Sequence, residues 1–194
     1  MDKQRQQQEF VYKVIGHHPV ISPKLTAVKE RGRGIAPVNI ALSKYWGKRD
    51  EVLNLPMNGS VSISLPGLGT ETTIQVSKAA QDTVELNGQT LDPSTPFAKR
   101  LFSFLNHFRA PNIFFDVITI NTVPTAAGLA SSASGYAALV LALDDLFGWQ
   151  LAPQQLSLLA RLGSGSASRS LFPGFSIWHK GQQADGMDSF AEAI

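Results

Sequence analysis

The chain has no cysteine among its 194 residues, which excludes disulfides, thiolate nucleophiles and cysteine metal sites. It also lacks a long hydrophobic run. The strongest, residues 136–143, is far too short to span a bilayer, so no membrane is expected as a partner. The opening Met1-Asp2-Lys3-Gln4-Arg5 carries no apolar segment behind its charges, which argues against a secretory leader and sets the expected location as cytoplasmic. Charged residues are scarce, 16% against 43% hydrophobic, the balance of a globular domain with a real core. The pI near 9.0 is not a property of the whole chain. Residues 1–33 hold seven Lys/Arg against three Asp/Glu, and the remainder holds ten against twelve. No aromatics interleave with the leading cations, so no nucleic acid is expected as a partner and the segment reads as a solvated basic arm.

What is present begins with residues 1–32, an N-terminal extension in which Gln4, Gln6, Gln7 and Gln8 are polar and aperiodic and Pro19 and Pro23 punctuate. Within it, residues 10–15 read as a short strand, and the adjacent His17 and His18 as surface residues. From 33 to 194 the pattern is that of one domain. Residues 34–41 form a strand entering the core, and 60–65 alternate Val61, Ile63 and Leu65 with Ser60, Ser62 and Ser64 as a half-buried strand. A separate strand follows at 70–77, and Asn87-Gly88 within 83–91 marks a hairpin. Residues 96–108 place Phe97, Leu101, Phe104, Leu105 and Phe108 on one helix face, capped by Asp92 or Ser94. A strand at 112–122 leads to a helix at Ser131–Phe147, apolar nearly all round and therefore central. A helix at 153–162, a strand at Phe175–Trp178 and a helix opening at 189–194 complete the order. Mixed strands, helices and a hairpin without regular βαβ alternation predict an α+β fold, with helices gathered on one face of a mainly antiparallel sheet.

Three stretches carry chemistry. Residues 124–135, Pro-Thr-Ala-Ala-Gly-Leu-Ala-Ser-Ser-Ala-Ser-Gly, lie between a strand and a helix. Unpaired N–H groups and the dipole at a helix start favour phosphate, and the small residues let a ligand reach the backbone. A tight turn with serine caps would look the same, and no Gly-Lys-Ser/Thr follows to make it a Walker A loop. Residues 39–50 set Tyr45 and Trp46 among Lys44, Lys48 and Arg49, either solvated cations around core aromatics or an anion site. Residues 163–170 are small and hydroxyl-rich around Arg169, either a flexible connector or a ligand loop. A backbone anion hole, a set of cations and a guanidinium with hydroxyls together suit a small anionic substrate plus a nucleotide.

The run Ala36-Pro37-Val38-Asn39-Ile40-Ala41-Leu42-Ser43-Lys44-Tyr45-Trp46-Gly47-Lys48-Arg49-Asp50 resembles the signature of the diphosphomevalonate decarboxylase family, within the GHMP kinase superfamily. So do Pro124-Thr125-Ala126-Ala127-Gly128-Leu129-Ala130-Ser131-Ser132-Ala133 and Gly163-Ser164-Gly165-Ser166-Ala167-Ser168-Arg169-Ser170. Leu53-Asn54-Leu55-Pro56 and Asp185-Gly186-Met187-Asp188-Ser189 fit the same pattern, and the resemblance runs from residue 35 to 194. It implies the GHMP kinase N-terminal domain, a ribosomal-protein-S5-domain-2-like α+β fold. The implied reaction is ATP-dependent decarboxylation of mevalonate 5-diphosphate to isopentenyl diphosphate, ADP, phosphate and CO2. By motif, Tyr45, Trp46, Gly47, Lys48, Ser164, Gly165, Ser166, Ala167, Ser168 and Arg169 would contact substrate. Arg169 would grip its carboxylate, and Asn39 and Lys44 would organise the catalytic centre. Pro124, Ala126, Ala127, Gly128, Leu129, Ala130, Ser131, Ser132 and Ser134 would hold ATP. No metal ligand is assigned from the protein; Mg2+ would arrive on the ATP, with Ser131 beside it. A homodimer is implied for the full-length protein.

The chain departs from the family in three ways. The family's catalytic Asp and a substrate-binding Thr lie in a C-terminal region absent here, so the expectation is the enzyme's N-terminal part, whose activity alone does not follow. Gln81 stands where the family has Arg, and Ser168 where Cys is frequent. The alternatives are a GHMP small-molecule kinase of mevalonate or phosphomevalonate type, and a non-catalytic nucleotide-binding fragment.

Overall fold

Strand β1 (Gly32–Ser43) and helix α3 (Ser131–Phe147) approach until backbone meets backbone, and the rest of the domain is arranged around that contact. A Cβ on Gly32 would lie 2.0 Å from the carbonyl of Ala142, and one on Gly34 would lie 2.1 Å from that of Ala138. The facing stripe of α3 is small as well, with Ala133, Ala137, Ala138 and Ala142 buried. Small residues on both partners thus let the central helix lie on the sheet. The structure, a computed structural model, describes residues 2–16, 27–123 and 131–194.

Among the described residues the chain order after helix α1 (Lys3–Val14) and β1 is β2 (Lys48–Asp50), β3 (Leu55–Pro56), β4 (Ser60–Val76), β5 (Thr83–Leu86) and β6 (Gln89–Thr90). Helix α2 (Pro96–Leu105), β7 (Phe115–Asn121), α3, helix α4 (Pro153–Gly163), a 3-10 turn at Gly165–Arg169, β8 (Phe175–Trp178) and β9 (Ala191–Ala193) follow. Seven strands form one sheet in which β4 pairs antiparallel with β1, β7 and β8; β5 beside β7 is a parallel pair. β2 and β3 form a separate hairpin. Helix α3 rests on β1 and β4, and α4 packs against α3. This is the expected α+β architecture with a predominantly antiparallel sheet. No helix among the described residues is long and apolar enough to cross a membrane.

The Asn87-Gly88 hairpin forms as expected, with φ of 51° and 80° at its two turn residues, values that Asn and Gly tolerate best. Several expectations are corrected. Residues 10–15 are not a strand: Asp2 caps α1 by accepting from the Gln4 N–H, Arg5 pairs with Glu9 one turn on, and Phe10, Val11 and Val14 sink into the main core. The leading segment is therefore not simply a solvated arm; His17 and His18 lie outside the described residues. The strands expected at 60–65 and 70–77 are one 17-residue strand, because β1 runs beside β4 across the irregularity at its middle. Helix α2 is capped by Thr95, whose Oγ1 accepts from the Ala98 N–H, while Asp92 caps the turn before it at Ser94. Residues 189–194 hold strand β9, since pairing with β8 outweighs local helix preference.

One buried titratable group makes stability depend on pH. His107, just beyond α2, is 4% exposed between Phe104 and Phe108, and burial pushes its pKa from the ordinary 6.5 down to about 4. Between pH 6.5 and 4 the unfolded chain takes up a proton at this residue and the folded chain does not, so the contribution of His107 to stability falls as pH falls through that window and is constant above it. Denaturant unfolding is expected to show a loss of about 2 kcal/mol between pH 7 and pH 5 that is absent from a His107→Phe variant. An equal pH dependence in both proteins would remove His107 as its source.

Candidate functional site

Arg169 closes the 3-10 turn and is 2% exposed, yet among the described residues no carboxylate pairs with it. Its Nε donates to Ser62 Oγ at 3.0 Å, its Nη1 to Ser60 Oγ, and its Nη2 to Asn39 Oδ1 at 3.5 Å. Ser62 Oγ in turn lies 3.1 Å from Ser176 Oγ. The ring of Trp178 lies 6.0 Å below the guanidinium, and the Trp178 indole N–H has no acceptor among the described residues. Burial lowers the Arg169 pKa, with Tyr45 opposing the shift. A buried guanidinium held by neutral oxygens keeps its full charge, and each oxygen that accepts from it is uncharged. That combination suits an anion supplied from outside the protein.

The alternation of β4 is thus the reverse of what apolar burial alone would set. Ser60, Ser62 and Ser64 are the buried face, whereas Val61, Ile63 and Leu65 are only partly covered. A serine row on the inner face of a central strand is the sequence signal for such a cradle, and hydrophobic patterning passes over it. Arg161 was missed in the same way. It lies on the leucine face of α4, fully buried, with its pKa pushed down to about 9 by burial. Its N–H groups donate to the carbonyls of Leu53, Gly186 and Ser189, which makes it a tie between segments.

Asn39, on β1, uses its amide to join the two halves of the site. Nδ2 donates to the Ser166 carbonyl at 3.1 Å and to Ser170 Oγ at 2.7 Å, while Oδ1 accepts from Arg169. Gly165 is required where it stands, because a Cβ there would lie 2.8 Å from Tyr45 Oη and 2.9 Å from the Trp178 ring. Tyr45 packs edge-on to Trp178 with centroids 4.8 Å apart, so Tyr45, Gly165, Trp178, Asn39 and Arg169 form one assembly. Ser164 and Ser166 are half-exposed with hydroxyls 3.1 Å apart, whereas Ala167 and Ser168 point into the core. Ser168 there caps its own turn through the Gly165 carbonyl.

The loop before β2 is open. Trp46 is 76% exposed, and Lys44, Gly47 and Lys48 are exposed beside it; Lys48 pairs with Glu51 at 3.1 Å. Trp46 is therefore not a core aromatic. Arg49 donates to the carbonyls of Lys180 and Gln183, a structural use of the third cation. Gln81 is exposed in the loop before β5.

The segment expected to hold phosphate begins outside the described residues, which exclude Pro124, Ala126, Ala127, Gly128, Leu129 and Ala130. Ser131 opens α3, and the exposed Ser132 lines a cavity of about 250 Å³ at that helix end. Leu86, Phe97, Leu101, Val117 and Leu139 form its apolar walls; Arg100, Thr72, Thr119, Asn121 and Tyr136 supply polar groups. Ser134 is fully buried, its Oγ 2.7 Å from Thr70 Oγ1, so it joins α3 to β4. Among the described residues no three His, Cys, Asp or Glu side chains gather to hold a metal.

Residues 36–191 match the model of the diphosphomevalonate decarboxylase-like N-terminal domain. The chain is 43% identical over 183 residues to the diphosphomevalonate decarboxylase of Aspergillus fumigatus, covering 84% of this chain and 45% of that protein. The mevalonate diphosphate decarboxylase structure from Staphylococcus aureus superposes with a TM-score of 0.78 at 41% identity, over 85% of this chain and 50% of that one. MDDEF in complex with MVAPP, AMPPCP and magnesium superposes with a TM-score of 0.76 at 44% identity, over 84% of this chain and 50% of that one. The chain thus spans about half the length of the proteins it matches.

Proposed function

The chain belongs to the diphosphomevalonate decarboxylase family, matched over its N-terminal domain, and on that premise we propose that it forms the ATP- and substrate-binding half of an enzyme that decarboxylates mevalonate 5-diphosphate. The observation that carries the reading is Arg169, a buried guanidinium whose partners among the described residues are all neutral. A substrate carboxylate supplies the missing anion, and the planar fork matches its two oxygens. Asn39 holds the fork and the 164–166 turn in one geometry. Lys48 and Lys44, exposed at the mouth, neutralise the diphosphate, and Tyr45 and Trp46 wall it. The cavity beside Ser132 takes the nucleotide base, so the phosphates fall at the start of α3, where unpaired N–H groups and the helix dipole favour them. Mg2+ would arrive bound to the nucleotide, and the chemistry it would supply is neutralisation of phosphate charge.

In the proposed reaction the 3-hydroxyl takes the γ-phosphoryl group, releasing ADP and turning a poor leaving group into a good one. The C1–C2 bond then breaks, its electron pair forms the C2–C3 double bond, and CO2 and phosphate depart. The protein's part is to position and neutralise rather than to attack. With carboxyl-labelled mevalonate 5-diphosphate, ATP and Mg2+, the enzyme containing this domain is expected to release labelled CO2 in proportion to ADP. A stable phosphorylated product without CO2 would instead make it a kinase, and affinity for neither ligand would overturn the reading.

A further inference from the structure

Helix α1 lies outside residues 36–191, the span matched by the family model, yet it is built into the core. Its contacts converge on the segment that follows the exposed cations. Gln7 Nε2 donates to the Val52 carbonyl at 2.7 Å, and the Phe10 ring lies 5.0 Å from the Arg161 guanidinium. Arg161 Nε donates to the Leu53 carbonyl at 3.0 Å, and Asn54 Nδ2 returns to the carbonyls of Arg161 and Leu162 at 3.0 and 2.9 Å. Arg49, on β2 of the same hairpin, donates to the carbonyls of Lys180 and Gln183. At the C-terminal end of α1, Gln155 of α4 donates to the Val14 carbonyl at 2.8 Å. The exposed Lys13–Asp185 pair adds little by comparison.

The hairpin β2–β3 buries only Leu53, Leu55 and Pro56 and has two short strands, too little to order itself. Its local ties are the Leu53 N–H on Asp50 Oδ1 at 2.8 Å and, before it, the Trp46 N–H on Asn58 Oδ1 at 2.9 Å; the carbonyls of Val52 and Leu53 are held from outside. Phe10 keeps water from competing at Arg161, and Gln7 binds the carbonyl next to the one Arg161 holds.

We propose that α1 braces the β2–β3 hairpin, and that Gln7 and Phe10 are positioning residues for the Trp46–Gly47–Lys48 loop that leads into it. The ligand readout below rests on the substrate reading above; the exchange readout does not.

Hydrogen exchange on the full chain tests the brace. In Gln7→Ala, amides of residues 51–55 should exchange about two- to tenfold faster while those of β4 and β7 stay unchanged. Gln7→Lys, which restores a donor of similar reach, should return them toward the original rate. In Gln7→Ala the Kd for mevalonate 5-diphosphate should rise by a comparable factor, with that for the ATP analogue AMP-PNP unchanged. Phe10→Ala should exceed both effects, and if it does not fold, the Gln7 variants decide. Unchanged exchange at 51–55 in Gln7→Ala, or acceleration spread evenly over the sheet, would overturn the brace. A local response in a protein that binds no mevalonate 5-diphosphate would support the brace and overturn the substrate reading instead.

Discussion

Replacing Arg169 by alanine is expected to weaken binding of mevalonate 5-diphosphate by about ten- to a hundredfold while leaving adenine-nucleotide affinity in place. A charge-assisted hydrogen bond from a desolvated guanidinium to a carboxylate is worth about 1.5–3 kcal/mol, which is one to two decades. The estimate belongs at the upper end, because Ser60, Ser62 and Asn39 offer the guanidinium no competing charge. Arg169→Lys keeps the charge but loses the fork and should fall between the two. The variant also removes a buried partner from two serine hydroxyls, so calorimetry of both ligands is needed. A general loss of structure would lower both affinities, whereas the account requires only the acidic substrate to suffer.

The second large effect is on folding. Gly34→Ala is expected to cost at least about 3 kcal/mol, because the added carbon would meet backbone it cannot rotate away from. It would lie 2.1 Å from the Ala138 carbonyl oxygen and 2.6 Å from the Ala142 nitrogen, so α3 must lift from β1. Gly135, in the first turns of the same helix, gives the opposite sign. Beyond its chain neighbours and its own helical turn, no atom lies within 4 Å of a Cβ built there, and alanine should stabilise the helix by up to about 1 kcal/mol. Denaturant midpoints of the two variants check both; equal shifts would mean that the close approach of α3 is not what Gly34 serves.

These two positions also mark what could be read from residues alone. The central helix was legible because its apolar character runs all round, and the 87–88 turn because Asn and Gly meet a left-handed backbone requirement there. Arg169 was legible as a candidate because a guanidinium among hydroxyls is a recognisable anion chemistry. Its cradle was not, since the inner face of β4 is serine and hydrophobic alternation assigns that face outward. Helix α1 was hidden because Phe10, Val11 and Val14 cover one turn behind a polar run, and docking into the core beside α4 gives them partners. Strand β9 depends wholly on non-local pairing with β8, which no local propensity encodes.

The central claim is that Arg169 is kept without a carboxylate partner so that the substrate can provide one. Calorimetric titration with mevalonate 5-diphosphate and with its C1 primary amide, similar in shape but without that charge, tests it most directly. The account predicts that the acid binds at least about tenfold more tightly than the amide, and that Arg169→Ala abolishes the difference. Equal affinities in the unaltered protein, or a preference for the acid that survives the loss of Arg169, would contradict it.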